Sequence, residues 1–447
     1  MPDLLALARR VLEQASADEE VEVYVSHGRE TSIKVFEAEI EELTAAESAG
    51  VGVRVISAGR QGFSYVGALD PAAAAEALAE ARDNARFATV DEHAGLASPD
   101  GVEPPVLDLW REDLVSFPTD DKLALALELE RRVRTGDSRI RQVVSSDYMD
   151  GFGEMAIATT RGVEVSSRQT GCYLFVHAVA GDGDDTQTGF GYSVGRAPVD
   201  LDLEAAARDA VDRATRLLGA KKPRSAKLTA VLDRRVTAAL LGILAGTLSG
   251  EEVVKGRSLF AGRIGEKVGV SELTLADDPT NPLAYGASQY DAEGLACRRN
   301  SLISGGELTS FLYDTHAASL AGTSSTGSAV RGGFRTTPGV GAQALSLEPG
   351  SHDQSEIITQ VGQGLLVQSI SGVHSGVNRV SGDFSVGAEG LMIRGGELAE
   401  PVREVTIAST IQRMLQHVVA IGSDVEWLPD IATGVTLAVD EIAMSGA

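Results

Sequence analysis

Residues 21 to 43, VEVYVSHGRETSIKVFEAEIEEL, place apolar and polar side chains in alternation, and a run of that period settles as extended chain with one face against a core. A second such run, GVGVRVISAGRQGFSYVG (50 to 67), follows it. Ahead of both stands a helix-spaced set, Leu4, Leu5, Leu7, Ala8, Val11 and Leu12. Behind them Asp70-Pro71, an N-cap residue followed by proline at the first helical position, announces a helix through AAAAEALAEARDNARFA. The order then recurs. Thr119, Asp120 and Asp121 open the helix DDKLALALELERRV, strands run from Arg139 to Ser193, and LDLEAAARDAVDRATRLL closes the unit. Even the ends match, GFSYVG (62 to 67) before the first closing helix and GYSVG (191 to 195) before the second. Two similar helix, antiparallel sheet, helix units are predicted, forming an N-terminal α+β domain over residues 1–218. They arise by internal duplication or by coincidence of pattern, since alternating strands resemble one another for physical reasons.

The pattern breaks at GAKKPRSAK (219 to 227), and a second, β-rich domain with a few helices is expected over 227–447. LTAVLD reads as a buried strand. Val236 to Leu248 reads as a helix whose Gly242, Ala245 and Gly246 would admit close backbone approach. ISGGELTSFL (303 to 312) and IRGGELAEPV (393 to 402) each set Gly-Gly between extended arms, the chemistry of a tight hairpin. THAASLAG, SEIITQVGQGL and STIQRMLQHVVAIG are predicted helices.

Sixty-four acidic residues against 39 basic ones give a formal net charge of -25, with no basic run. That excludes direct binding to nucleic acid or an anionic membrane, which needs concentrated positive charge. Cys172 and Cys297 lie far apart, so neither a disulfide framework nor a zinc knuckle is expected. The first twenty residues lack the basic and apolar regions of a signal peptide, and no run reaches the length of a membrane span. A soluble cytoplasmic protein is expected.

The seven histidines show no helical i, i+3 or i, i+4 pair and no HExxH. An unconventional metal site would have to combine Cys297, Glu293, His316 or His374. The loop GTSSTGSAVRGG (322 to 333) lacks GxSxG and reads first as polar loop; its hydroxyls and amides, with Arg331 and Arg335, could also hold a peptide. GVGAQA (339 to 344) precedes no helix, against a nucleotide. Acidic pairs occur at Asp277 with Asp278, Asp291 with Glu293, and Asp383 with Glu389; Asp383 with Ser385 and Asn378 is the best placed for function.

The segments KGRSLFAGRIGEKV, DDPTNPLAYGASQYDAEGLACRRNSLISGGEL, STGSAVRG, SGDFSVGAEGLMIRGGELAEPV and STIQRMLQHVVAIGSD, in this order, resemble the TldD and PmbA (TldE) family, once named modulators of DNA gyrase. The resemblance spans essentially the whole chain. It implies an N-terminal α+β domain, a β-rich C-terminal domain, and a heterodimeric metallopeptidase acting on unfolded or modified peptides, as in the maturation of ribosomal peptide natural products. In that complex the TldD-type subunit holds zinc on an HExxxH helix, with a cysteine near its C-terminus as third ligand. The equivalent stretch here, LLGILAGTLSG, has neither His nor Glu, and the tail after residue 422 has no Cys. Both departures match the TldE type.

The resemblance thus implies a chain without catalytic or metal-ligating residues of its own, joined to a zinc-bearing TldD-like subunit, or to itself as a homodimer when alone. The residues expected to line a peptide-binding chamber are Ser325, Thr326, Gly327, Arg331, Asn378, Asp383 and Ser385. Two other readings stay open. One is a hydrolase active by itself, through unconventional metal ligands or through Asp383 and Glu389; the other is a homodimeric peptide-binding scaffold.

Overall fold

The computed structural model describes residues 3–429 and 431–446. In the N-terminal half, α1 (Leu4–Leu12), β1 (Glu20–Phe36), β2 (Glu39–Ser57), β3 (Arg60–Val66) and α2 (Pro71–Phe87) form the first unit. A crossing segment bearing the single turn α3 (Glu112–Val115) leads to the second: α4 (Thr119–Gly136), β4 (Ile140–Thr159), β5 (Glu164–Ala180), β6 (Gln187–Gly195) and α5 (Leu203–Thr215). All six strands join one antiparallel sheet in the order β3-β2-β1-β4-β5-β6. The units therefore meet through β1 and β4, and each counts outward from that seam.

Two cores lie against the sheet, and the long strands β1 and β4 contribute to both. Val21, Val23, Val25, Val51 and Val53 pack under Ala74, Ala77 and Ala81 of α2, while Ile33, Val35, Leu174 and Val176 pack with Ala206 and Ala210 of α5. Asp70 fixes the start of α2 by accepting the amides of Ala72 and Ala73 at 3.0 and 2.9 Å. The echoed strand ends have a packing cause. A Cβ on Gly62 would come 2.0 Å from the Ala81 carbonyl oxygen, and one on Gly191 would come 1.8 Å from that of Ala206, so helix backbone rests directly on strand backbone in both units.

The C-terminal half begins with β7 (Ala226–Leu232), α6 (Arg234–Thr247) and α7 (Gly250–Val254). Short elements follow: β8 (Leu275–Asp277), β9 (Asn300–Ser304), β10 (Glu307–Leu308), α8 (Thr315–Ala321), β11 (Ala329–Val330), β12 (Gly339–Val340) and β13 (Leu345–Leu347). The chain ends with α9 (Gln354–Val361), β14 (Gln363–Ser371), α10 (Val373–Gly376), β15 (Asp383–Arg394), β16 (Glu397–Thr410), α11 (Ile411–Gln416), β17 (Val418–Ile421) and β18 (Leu437–Ser445). The large sheet runs β16-β15-β14-β7-β18-β17, and a further pairing of β16 with β18 closes it on itself. Only β14 and β7 run parallel within it, and α6 packs its apolar side on this sheet. The fold is α+β, as expected from the patterning.

Both Gly-Gly hairpins form, with φ of +56° and +80° at Gly305 and Gly306 and +61° and +83° at Gly395 and Gly396. Two helices are shorter than expected. SEIITQVGQGL ends as a helix at Val361, because Gly362 turns the chain at φ +68° and Gln363 enters β14. STIQRMLQHVVAIG is helical only to Gln416; the β-branched residues of Val418–Ile421 pair with β18 instead. Among the described residues no helix is long and apolar enough to cross a membrane.

The close contact at Gly191 can be tested directly. Gly191→Ala should lower unfolding free energy by about 1–3 kcal/mol through overpacking, whereas Gly67→Ala, which faces open space, should leave the urea midpoint nearly unchanged.

Candidate functional site

Asp233 starts α6 by accepting the Arg235 amide at 3.2 Å, and it is itself buried against Arg213 at 2.8 Å. Leu240, Leu241, Ile243, Leu244 and Leu248 then bury the helix against the large sheet. Ala239, Gly242 and Gly246 remain on the open side. Close backbone approach, expected for the small residues, is not their role: Gly242 faces open space, and what lies on Gly246 is the guanidinium of Arg379. Ala245 is the one that is buried. The charged residues after the helix satisfy one another, Lys255 with Glu251 and Arg257 with Glu252 at 3.4 Å.

Beside this open side runs a strand edge without a strand partner among the described residues. β7 ends at Leu232 opposite Val367, so β14 continues through Gln368–Ser371 with no strand on that side. A cavity of about 250 Å³ lies there, walled by Ser369 and Ile370 of β14, Val236 and Ala239 of α6, and Gly189 and Phe190 of β6. Backbone donors and acceptors on such an edge suit an added strand of any sequence.

The donor set of this helix does not fit zinc. α6 carries no His, Cys, Asp or Glu, and among the described residues no three such side chains gather as a metal site requires. The four residues that an unconventional site would combine do not come together. Glu293 accepts the Thr315 amide and hydroxyl at 2.8 and 2.6 Å, His316 pairs with Asp91 at 2.8 Å, Cys297 is buried with its thiol pushed up to about 12 by burial, and His374 lies exposed on α10.

The candidate peptide-binding residues fall in three places. Thr326 receives the Tyr313 amide at 2.8 Å, Ser325 donates to the Tyr313 carbonyl at 3.1 Å, and Gly327 turns at φ +67°, so these hydroxyls hold their own loop. Arg331 is spent within the chain, on Glu22 at 2.8 Å and on the Ala292 carbonyl at 2.5 Å, with Tyr24 beneath it. Asn378 and Asp383 build a turn: Asn378 Oδ1 accepts the amides of Val380 and Ser381 at 2.9 and 3.1 Å, and Asp383 accepts the Ser381 hydroxyl at 2.6 Å. Ser385 is exposed, alternating with Phe384 and Val386, which bury on the α6 side, so it belongs to the opposite face of β15. Among the described residues no hydrogen bond or ion pair joins the three places.

Arg331 belongs to a buried network that the sequence did not disclose. Arg54 of β2 pairs with Glu22 of β1 at 2.7 Å and with Glu293 at 3.5 Å, and Arg331 closes the set, so two N-terminal and two C-terminal charges join the halves. Burial pushes Glu22 up, but Arg331 and Arg54 outweigh it and hold the carboxyl below its ordinary value. Next to them Asp291 accepts the amides of Glu293, Leu295 and Ala329; burial, with Glu293 beside it, raises its carboxyl to about 7. The one available signal was a glutamate inside the apolar strand VEVYV. Above the network lies a groove of about 550 Å³, lined by Tyr24, Ser26 and Gln169 on one wall and Gln289, Asp291 and Arg335 on the other.

Two outcomes follow from this geometry. Glu22→Gln strands buried guanidinium charge and should cost about 3–5 kcal/mol in urea unfolding. Asp291 holds its proton more tightly folded than unfolded, so its contribution is fully present below its ordinary 3.8 and is lost as the pH rises to about 7. Asp291→Asn should therefore lose less stability than the parent between pH 4 and pH 7 in the same assay.

Three family models match in series: domain 1 of the PmbA/TldA metallopeptidases over residues 21–85, the central domain over 112–218 and the C-terminal domain over 225–446. The metalloprotease PmbA of Escherichia coli O157:H7 is 27% identical, covering 97% of this chain and 98% of that protein. The metalloprotease TldD homologue of Haemophilus influenzae is 26% identical over 86% of this chain and 81% of its own length. A crystal structure from Thermotoga maritima, described as a modulator of a DNA gyrase, superposes with a TM-score of 0.89 at 25% identity, covering 98% of this chain and 99% of its own. TldE from Thermococcus kodakarensis shares the fold, with a TM-score of 0.88 at 22% identity over 99% of both chains. The chain belongs to the PmbA/TldD family of metallopeptidases.

Proposed function

We propose that this chain is the non-catalytic, TldE-like subunit of a cytoplasmic heterodimeric peptidase, and that it holds unfolded or modified peptides while a TldD-like partner carries the zinc. One observation carries the reading: the open side of α6, the helix that the resemblance equates with the HExxxH helix, presents Ala239, Gly242 and Gly246. The side chains of Ala and Gly offer no electron pair to a cation. In the partner, the metal would polarise the scissile carbonyl and activate water. In this chain, the edge Gln368–Ser371 would take the peptide main chain, and the side-chain-poor face of α6 leaves room for any side chain it carries. Binding through main-chain hydrogen bonds suits substrates of varied sequence. Without the partner, the chain is expected to pair with itself.

Metal analysis separates this reading from an enzyme that acts alone. Purified without added metal, the isolated chain should hold no stoichiometric zinc and cleave no peptide. Co-purified with a family member that bears HExxxH, the complex should hold zinc and cleave, and both should vanish when the partner's motif histidines are replaced. Tightly bound stoichiometric zinc in the isolated chain, or hydrolysis by it, would contradict the assignment.

A further inference from the structure

The guanidinium of Arg379 makes no hydrogen bond or ion pair among the described residues; the residue is exposed, and its guanidinium lies against Gly246 of α6. A Cβ at position 246 would lie 2.8 Å from its Nη1 and 3.1 Å from its Cζ, so glycine is what admits it. The turn that presents it is pinned. Gly382 donates to the Asn378 carbonyl at 2.8 Å, the Asn378 amide donates to the Asp383 carbonyl at 2.9 Å, and Gln412 donates to the Ser381 carbonyl at 3.0 Å. Asp383, the acid nearest to it in sequence, accepts the Ser381 hydroxyl at 2.6 Å and makes no ion pair with Arg379 among the described residues.

The position of this cation gives it a use. Ala239, at the cavity beside the β14 edge, stands seven residues from Gly246, roughly 10 Å along the helix. That span is roughly three residues of extended peptide. Between them Gly242 is open. In a chain of net charge -25 an acidic group is repelled at long range, so its capture needs a local, pre-positioned guanidinium.

We propose that Arg379 is the carboxylate anchor of the α6 cleft, pairing with a carboxylate of a peptide laid along the edge Gln368–Ser371, whether from its C-terminus or from an Asp or Glu side chain. The proposal rests on the strand-addition reading above. It makes Arg379 a specificity-determining residue in place of Arg331, whose charge Glu22 already meets.

The test uses three fluorescent hexapeptides of one neutral sequence: a free C-terminal acid, its amide, and an amide with one internal Glu. Anisotropy titrations with the full-length chain should show the free acid, the Glu peptide or both binding about tenfold more tightly than the plain amide, and which of them does identifies the carboxylate. Arg379→Ala should erase that preference and leave affinity for the plain amide unchanged. Gly246→Leu, which displaces the guanidinium without touching Arg379, should also erase the carboxylate preference, with circular dichroism and the urea midpoint reporting an intact fold. A carboxylate preference that survives both substitutions, or equal binding of all three peptides to the parent chain, would overturn the role of Arg379 and leave strand addition standing. No binding of any peptide would overturn both.

Discussion

Taking Arg54 and Arg331 out of water costs several kilocalories per mole for each ion unless carboxylates meet them, and the carboxylates come from both halves of the molecule: Glu22 from β1 and Glu293 from the loop before α8. Neither half can bury its own share alone. Alone, the N-terminal half would leave Glu22 with one guanidinium, and the C-terminal half would leave Arg331 with the Ala292 carbonyl and without Glu22. The network, with the Arg213–Asp233 pair and the bond from Arg235 to the Phe190 carbonyl, ties the six-stranded sheet to the C-terminal half. With that orientation set, Gly189 and Phe190 of β6 reach the edge of β14 and form one wall of the cavity beside α6.

The cleft is built from absences of side chain more than from reactive groups. Gly242 and Gly246 expose helix backbone, β14 outruns β7 by four residues at Gln368–Ser371, and Arg379 lies across the far end. On the proposed reading, a metallopeptidase fold whose corresponding helix lacks ligands would keep a surface that grips a peptide and leave the cutting to its partner. This division explains how family membership and an α6 without a metal donor can coexist in one chain.

Much of the N-terminal half was legible because its period is local. Alternation gives the strands, Asp70-Pro71 gives a helix start, and the echo of GFSYVG in GYSVG reflects glycine under an alanine-rich helix. The two Gly-Gly hairpins were legible for the same reason. What was not legible depends on distant partners. HVVAIG follows a helical register until β18 offers Val418–Ile421 an edge, and nothing local announces that edge. The hydroxyls of Ser325 and Thr326 look free in the sequence but are taken up by Tyr313. Arg331 looks available until Glu22, on the first strand, is seen beside it, and nothing local marks Arg379, which lies over a glycine far away in sequence.

On the proposed reading, this chain binds peptide as a strand on β14 without a metal of its own. Hydrogen exchange followed by mass spectrometry, with an unfolded peptide added in metal-free buffer, reads this most directly. Slowed exchange confined to the amides of Gln368–Ser371 and the facing segment of α6 is the predicted result. Unchanged exchange there at saturating peptide, or protection that develops only when zinc is supplied to the isolated chain, would contradict it.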